Sequence, residues 1–207
     1  MGNRIMLRQM FDEYHGKQVK QDGEECFILS SGLHTRMKYD CGRLFQYASP
    51  RAQFAEAFAL MFKGSSIARH ITILVGPESM GPFLGELQHY YMFKDIRMAL
   101  AKKDGKGGFV LEDSLDVRFD DCCLLVDDVL TTGKTLCGLR NAVAHRKYKG
   151  TVRGHPDIAG SAVIVDRTPK NNLLWHSVPD PIISLLYDRE SPAHAPDSCP
   201  FCFPKPQ

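Results

Sequence analysis

The chain has 207 residues, of which 43% are hydrophobic and 24% charged, with a formal net charge of +2. That length suits one domain with a sizeable core and argues against two independent ones. So small a net charge gives no general argument for nucleic-acid binding, so any anion site must be local. Apolar runs such as 122–126 and 182–186 fall far short of the roughly 20 residues that cross a bilayer.

The start, MGNRIMLRQMF, lacks the apolar core of a signal peptide, and Met6 stands where myristoylation needs Ser or Thr. Seven cysteines without a framework spacing suit reduced thiols, so the expected compartment is the cytoplasm. Helical spacing of Ile5, Met6, Met10, Phe11 and Tyr14 predicts a first helix over 5–14. Short strands at 26–29 and 37–39 make a small flap. Ser49 and Pro50 then cap a helix through about Phe62.

A repeating order of apolar run, glycine-containing turn and amphipathic segment follows. Residues 71–75 lead through a turn at 76–81 into a helix over 83–91. Residues 124–126 lead through 127–133 into a helix over 135–145, and further strands are predicted at 96–101 and 161–165. Strands alternating with helices imply an α/β fold, a mostly parallel sheet flanked by helices on both faces, with ligands beyond the carboxyl ends of the strands. The glycine- and charge-rich segment 102–118 reads as a mobile loop, 146–157 as a surface insertion, and the proline-rich end from 192 as a tail across the surface. The whole is read as one domain: hood at about 15–45, core at 46–190, tail at 191–207.

The run LLVDDVLTTGKTL at 124–136 carries the chemistry. A buried strand ends in two acids, and a hydroxyl- and glycine-rich turn opens a helix. Helix N-terminal N–H groups and the hydroxyls of Thr131, Thr132 and Thr135 offer donors to a phosphate, while Gly133 lets the backbone approach; Lys134 adds charge or points to water. Asp127 and Asp128 can accept hydrogen bonds from vicinal sugar hydroxyls, so the ligand class is a sugar phosphate. A Walker A loop would need glycine at 128, where Asp stands. Cys199 and Cys202 have half of a zinc site's spacing, which leaves any further ligands to histidines or another chain.

This run resembles the signature of the type I phosphoribosyltransferases. The segment CFILSSGLHTRMKYD (26–40) is similar to the base-site segment of the orotate phosphoribosyltransferases. Residues 76–85 resemble their pyrophosphate loop, 96–108 their catalytic loop, 165–167 their strand ending in Asp-Arg, and 199–202 their CPLC tail. The resemblance implies that fold, with a small N-terminal hood, and transfer of phosphoribose from phosphoribosyl pyrophosphate (PRPP) to a base, orotate first, with Mg²⁺ as cofactor. A purine or another base, or a non-catalytic PRPP sensor, are the alternatives.

Carried over by residue, the resemblance gives Asp127 and Asp128 the ribose hydroxyls. It gives Thr131, Thr132, Gly133 and Thr135 the 5′-phosphate, with Val129, Leu130 and Lys134 also among the PRPP-binding residues and Thr131 also beside the base. Glu78, Ser79, Met80 and Gly81 line the pyrophosphate, Arg97 is a further PRPP-binding residue, and Lys103 or Lys102 neutralises the leaving group. Arg167 faces the carboxylate of the base, and Phe27 lies near it. The catalytic lysine commonly reaches a neighbouring subunit's site, which implies a homodimer. Glu78 brings a negative charge to the pyrophosphate loop, so it must point away, act through Mg²⁺ or alter the ligand.

Overall fold

The computed structural model describes residues 2–21, 24–29, 31–63, 68, 70–90, 95–112, 117–145, 155–168, 178, 180–188 and 193–202. Helix α1 (Gly2–Glu13) precedes a hood of four short strands: β1 (Lys17–Val19), β2 (Phe27–Ile28), β3 (His34–Thr35) and β4 (Met37–Tyr39). They pair antiparallel as two separate ribbons, β1 with β4 and β2 with β3. The short helix α2 (Cys41–Leu44) is capped by the Asp40 carboxylate, which accepts from the Arg43 N–H at 3.0 Å. It leads to α3 (Ala48–Lys63), which begins two residues before the Pro50 expected to open it, so Ser49 lies within the first turn and is not the cap.

The main sheet contains β5 (Ile73–Pro77), β6 (Arg97–Lys103), β7 (Phe109–Leu111), β8 (Cys122–Leu130), β9 (Asp157–Asp166) and β10 (Ile182–Tyr187). Its order is β10-β9-β8-β5-β6-β7, parallel throughout except for β7. Helix α4 (Gly81–Tyr90) follows β5, and α5 (Lys134–His145) follows β8. Among the described residues, no helix is long and apolar enough to cross a membrane.

Two cores flank the sheet, as expected when a central strand is buried on both faces and reads as an unbroken apolar run. Along β8, Leu124 and Val126 enter the core beneath α1, α3 and α4, while Cys123 and Leu125 enter the core beneath α5. The first is aromatic: Phe45 stacks on Phe83 at 4.7 Å, and Phe11 meets Phe54 edge-on at 5.4 Å. The second is aliphatic, with Leu136, Leu139 and Val143 of α5 on Val75 and Val163. Gly76 lets α4 lie close to β5, since a Cβ there would sit 2.9 Å from both Leu84 Cδ1 and the Val126 carbonyl oxygen.

Several expectations need correction. The strand predicted at 124–126 runs to Leu130, because Asp127 through Leu130 keep their ladder with β9, so the acids lie within the strand and the turn shrinks to 131–133. The segment 102–118 is not one loop: Lys102 and Lys103 end β6 and pair antiparallel with β7. The hairpin tip is locked by Asp104, whose carboxylate accepts from the N–H groups of Lys106 at 2.7 Å and Gly108 at 2.9 Å. Those bonds hold the Asp104 carboxyl below the usual carboxylate range. The predicted turn at 76–81 is shorter, since β5 continues to Pro77 and a 3₁₀ turn, Glu78–Met80, leads straight into α4. The insertion at 146–157 lies mostly outside the described residues, and its last residue, Asp157, opens β9.

Candidate active site

The chain leaves β5 toward β6 and leaves β8 in the other direction, toward β9, so the sheet's switch point lies between β5 and β8. A crevice forms beyond the carboxyl ends of strands at such a point. A cleft of about 490 Å³ opens there, lined by residues 127–135, by Lys103 and Phe109 of the β6–β7 hairpin, by Arg167 after β9, and by Ile28, Leu29, Ser31, Lys38 and Tyr39 of the hood.

The floor is built by β8 and the start of α5. Gly133 has φ +76°, a left-handed conformation that suits glycine, and it turns the chain into the helix. The first-turn N–H groups of α5 face the cleft without intrahelical partners, as at any helix start. Thr132 Oγ1 lies 3.5 Å from the Lys134 N–H. The hydroxyl of Thr135 donates to the Asp127 carboxylate, so here it orients that acid as well as lining the cleft.

Asp127 is buried and Asp128 half-buried. The two carboxyls hydrogen-bond one another, and Asp128 also accepts from the Val129 N–H at 2.7 Å. Burial, followed by the charge of Asp128, holds Asp127 well above the usual carboxylate range; burial also raises Asp128. Among the described residues, no ion pair between a lysine or arginine and either acid is seen. Two carboxylates held this way suit an occupant that brings hydroxyl donors or a divalent cation.

Arg167 is 2% exposed. Its backbone N–H donates to the Leu130 carbonyl at 2.8 Å, and its Nη2 donates to Thr35 Oγ1 of β3 at 2.9 Å. The guanidinium lies 5.7 Å from the centre of the Tyr39 ring, and Nε is 3.9 Å from Asp188. Tyr39 donates its hydroxyl to Asp188 at 3.1 Å, and its own pKa is raised, first by burial and then by that carboxylate. This network joins the hood to the end of the sheet and sets a positive group in the cleft wall.

The remaining predicted residues divide by geometry. Lys103 lines the cleft, whereas its strand neighbour Lys102 faces away, bonded to Glu112 and 4.0 Å from Glu78. Glu78 is accordingly turned toward Lys102 instead of the cleft. Met80 is 2% exposed and packs in the core, so its side chain is not a ligand contact. Ser79 and Gly81 lie in the turn beside it, outside the cleft lining. Arg97 is the first residue of β6, at the amino end of the sheet, where it pairs with Asp121 away from the cleft, so the PRPP contact expected of it is not met. Phe27 gives way to Ile28, because successive strand residues face opposite sides; the Phe27 ring instead lies under Lys20 Nζ at 5.1 Å. Ser31, Lys38, Tyr39 and Phe109 are cleft residues that sequence reasoning missed, although Ser31, Lys38 and Tyr39 lie in the segment 26–40 already singled out.

No family model matches the chain. Among curated relatives, the chain is 28% identical over 178 residues to the orotate phosphoribosyltransferase of Thermus thermophilus, covering 85% of this chain and 86% of that one. It is 29% identical over 177 residues to the orotate phosphoribosyltransferase of a Thermoanaerobacter species, covering 85% and 82%. The crystal structure of orotate phosphoribosyltransferase from Aeropyrum pernix superposes with a TM-score of 0.61 at 19% identity, covering 88% and 94%. The chain has the type I phosphoribosyltransferase fold. A further member of that fold, the Mycobacterium tuberculosis orotate phosphoribosyltransferase in complex with PRPP, superposes with a TM-score of 0.59 at 17% identity, covering 89% and 96%. The mostly parallel six-stranded sheet with helices on both faces is the arrangement that this fold implies.

Proposed function

We propose that this phosphoribosyltransferase transfers 5-phosphoribose from PRPP to orotate, giving orotidine 5′-monophosphate and pyrophosphate. The observation that carries the reading is the convergence in one cleft of an acid pair, a threonine- and glycine-rich helix start, and a buried arginine. The curated relatives named above support the choice of orotate.

Residues 131–135 hold the 5′-phosphate at the start of α5, and Asp127 and Asp128 accept from the ribose hydroxyls. Arg167 and Tyr39 form the wall that takes the base, with the guanidinium opposite its carboxylate. The bond between C1′ and the pyrophosphate oxygen breaks and its electron pair leaves with pyrophosphate. N1 of orotate supplies the pair for the new bond, and its proton passes to solvent. Lys103, at the end of β6, sits where positive charge stabilises the departing anion. Mg²⁺ fits this site because the acid pair is buried beside the cleft; when bound with PRPP it supplies charge neutralisation of the pyrophosphate. Closure of the β6–β7 hairpin over the cleft would keep water from the sugar.

The chain acts as a homodimer in the cytoplasm in this reading. The compartment rests on an odd count of seven cysteines without a framework spacing, which suits reduced thiols. The pair of subunits is checked by light scattering and by mixing two inactive variants. Following the ultraviolet absorbance of orotate on addition of PRPP and Mg²⁺ tests substrate and activity together. Turnover with a purine and none with orotate would reject the choice of base.

A further inference from the structure

Away from the cleft, the tail returns to the hood. His194 and His34 exchange both backbone hydrogen bonds, each at 2.8 Å, so the tail adds a bridge to the edge of β3. The Phe201 ring lies 4.9 Å from the Arg36 guanidinium and packs edge-on against His194 at 5.7 Å. This docking brings Cys199 and Cys202 to Cys26 and His34, so that one ligand atom from each of the four lies within 4.8 Å of all the others.

The spacings have a chemical meaning. Cys26 Sγ and Cys199 Sγ are 3.6 Å apart, far beyond a disulfide's roughly 2.05 Å. His34 Nδ1 and Cys202 Sγ are 3.2 Å apart. A tetrahedron with Zn–S of about 2.3 Å and Zn–N of about 2.0 Å has edges of about 3.5 to 3.8 Å. The Cys-Pro-Phe-Cys turn adds an independent sign: the backbone N–H groups of Phe201 and Cys202 both donate to the Cys199 sulfur. A neutral thiol is a weak acceptor and a metal-bound thiolate a strong one, so this turn is shaped for a thiolate.

We propose that Cys26, His34, Cys199 and Cys202 bind one zinc ion that clamps the C-terminal tail onto the hood. Three sulfurs and an imidazole form a soft donor set that favours zinc over magnesium or calcium. Four protein ligands close the coordination shell, which makes the site structural. Binding releases the thiol protons and fixes the β2–β3 ribbon, whose Ile28 and Leu29 line the cleft. The proposal is independent of the substrate assigned above.

The test is elemental analysis of the full chain purified under reducing conditions. The expected content is about one zinc per chain. It should fall by more than about tenfold in Cys199→Ser and in Cys202→Ser, and stay unchanged in Cys137→Ser. Replacing zinc by cobalt should give the charge-transfer and visible bands of tetrahedral thiolate ligation in the wild type. Should the serine variants fail to fold, zinc competition between the wild-type chain and a chromogenic chelator decides the matter, with His34→Ala as the weaker-binding comparison. A wild-type chain that neither retains nor takes up zinc overturns the proposal. So does zinc that survives both serine substitutions, or a Cys26–Cys199 disulfide found by mass spectrometry in the chain purified without reductant.

Discussion

Asp127→Asn separates binding from stability, because the two should move in opposite directions. A hydroxyl hydrogen bond to a charged acceptor contributes about 1.5 to 3 kcal/mol. Losing the charge at 127 should therefore weaken PRPP binding roughly 10- to 150-fold. Folding responds the other way. Burial and the neighbouring Asp128 raise the Asp127 pKa in the folded chain, so the folded state holds this proton more tightly than the unfolded state. The contribution to stability is complete below the unfolded value of about 3.9 and is lost as pH rises toward the folded one. Asn removes that loss and keeps an acceptor for the Thr135 hydroxyl. The variant should be at least as stable as wild type at pH 7 and show less decline between pH 4 and neutrality. Calorimetric titration with PRPP and Mg²⁺ reads the first effect, and urea unfolding across that pH range reads the second. PRPP affinity within about twofold of wild type, or a variant destabilised by more than about 1 kcal/mol, would refute the reasoning.

Three other perturbations address the rest of the cleft. Arg167→Lys keeps the charge but loses the planar fork, so KM for orotate should rise roughly 10- to 150-fold in steady-state kinetics, with PRPP binding unchanged. Lys103→Ala should lower kcat by about 10²- to 10³-fold, whereas Lys102→Ala, which removes a side chain bonded to Glu112, should stay within about threefold of wild type. Both lysines are exposed, so neither unfolding midpoint should shift. Gly76→Ala places a methyl 2.9 Å from a backbone oxygen that cannot rotate away, and should cost about 1 to 3 kcal/mol in urea unfolding.

The parts of the fold legible in the sequence are those encoded by local pattern. Buried central strands read as apolar runs, and Pro50 marked the first turn of α3, although the helix starts two residues earlier, at Ala48. Strand lengths were less legible: Asp127 and Asp128 look like turn residues, yet the ladder with Val163 keeps them extended. The edge strand β7 was missed because Phe109–Leu111 is short and sits amid glycines and charges, and only pairing with Lys102 and Lys103 makes it a strand. The cleft floor at 131–135 was legible because its residues are contiguous in the chain. The opposite wall of the cleft was only partly so: Tyr39 reaches Asp188 across 149 positions and Arg167 reaches Thr35 across 132, separations that no periodicity records.

Those long-range contacts follow from how little the hood can do alone. Its β2–β3 ribbon has two residues per strand, and an isolated two-stranded hairpin is marginal in water. Burial cannot supply the deficit, since Ile28 is 69% exposed. A cleft wall that must present Ile28 and Leu29 at fixed positions therefore has to be tied to something rigid. On one side the tie is Thr35, bonded to the buried Arg167 at the end of β9; on the other it is the tail strand at His194. The hood wall of the cleft and the C-terminal tail are thus mechanically linked through β3, whose two residues, His34 and Thr35, make one tie each. Changes that loosen the tail should accordingly raise KM for the base before they alter PRPP binding, because residues 127–135 stand on the sheet and do not depend on the hood.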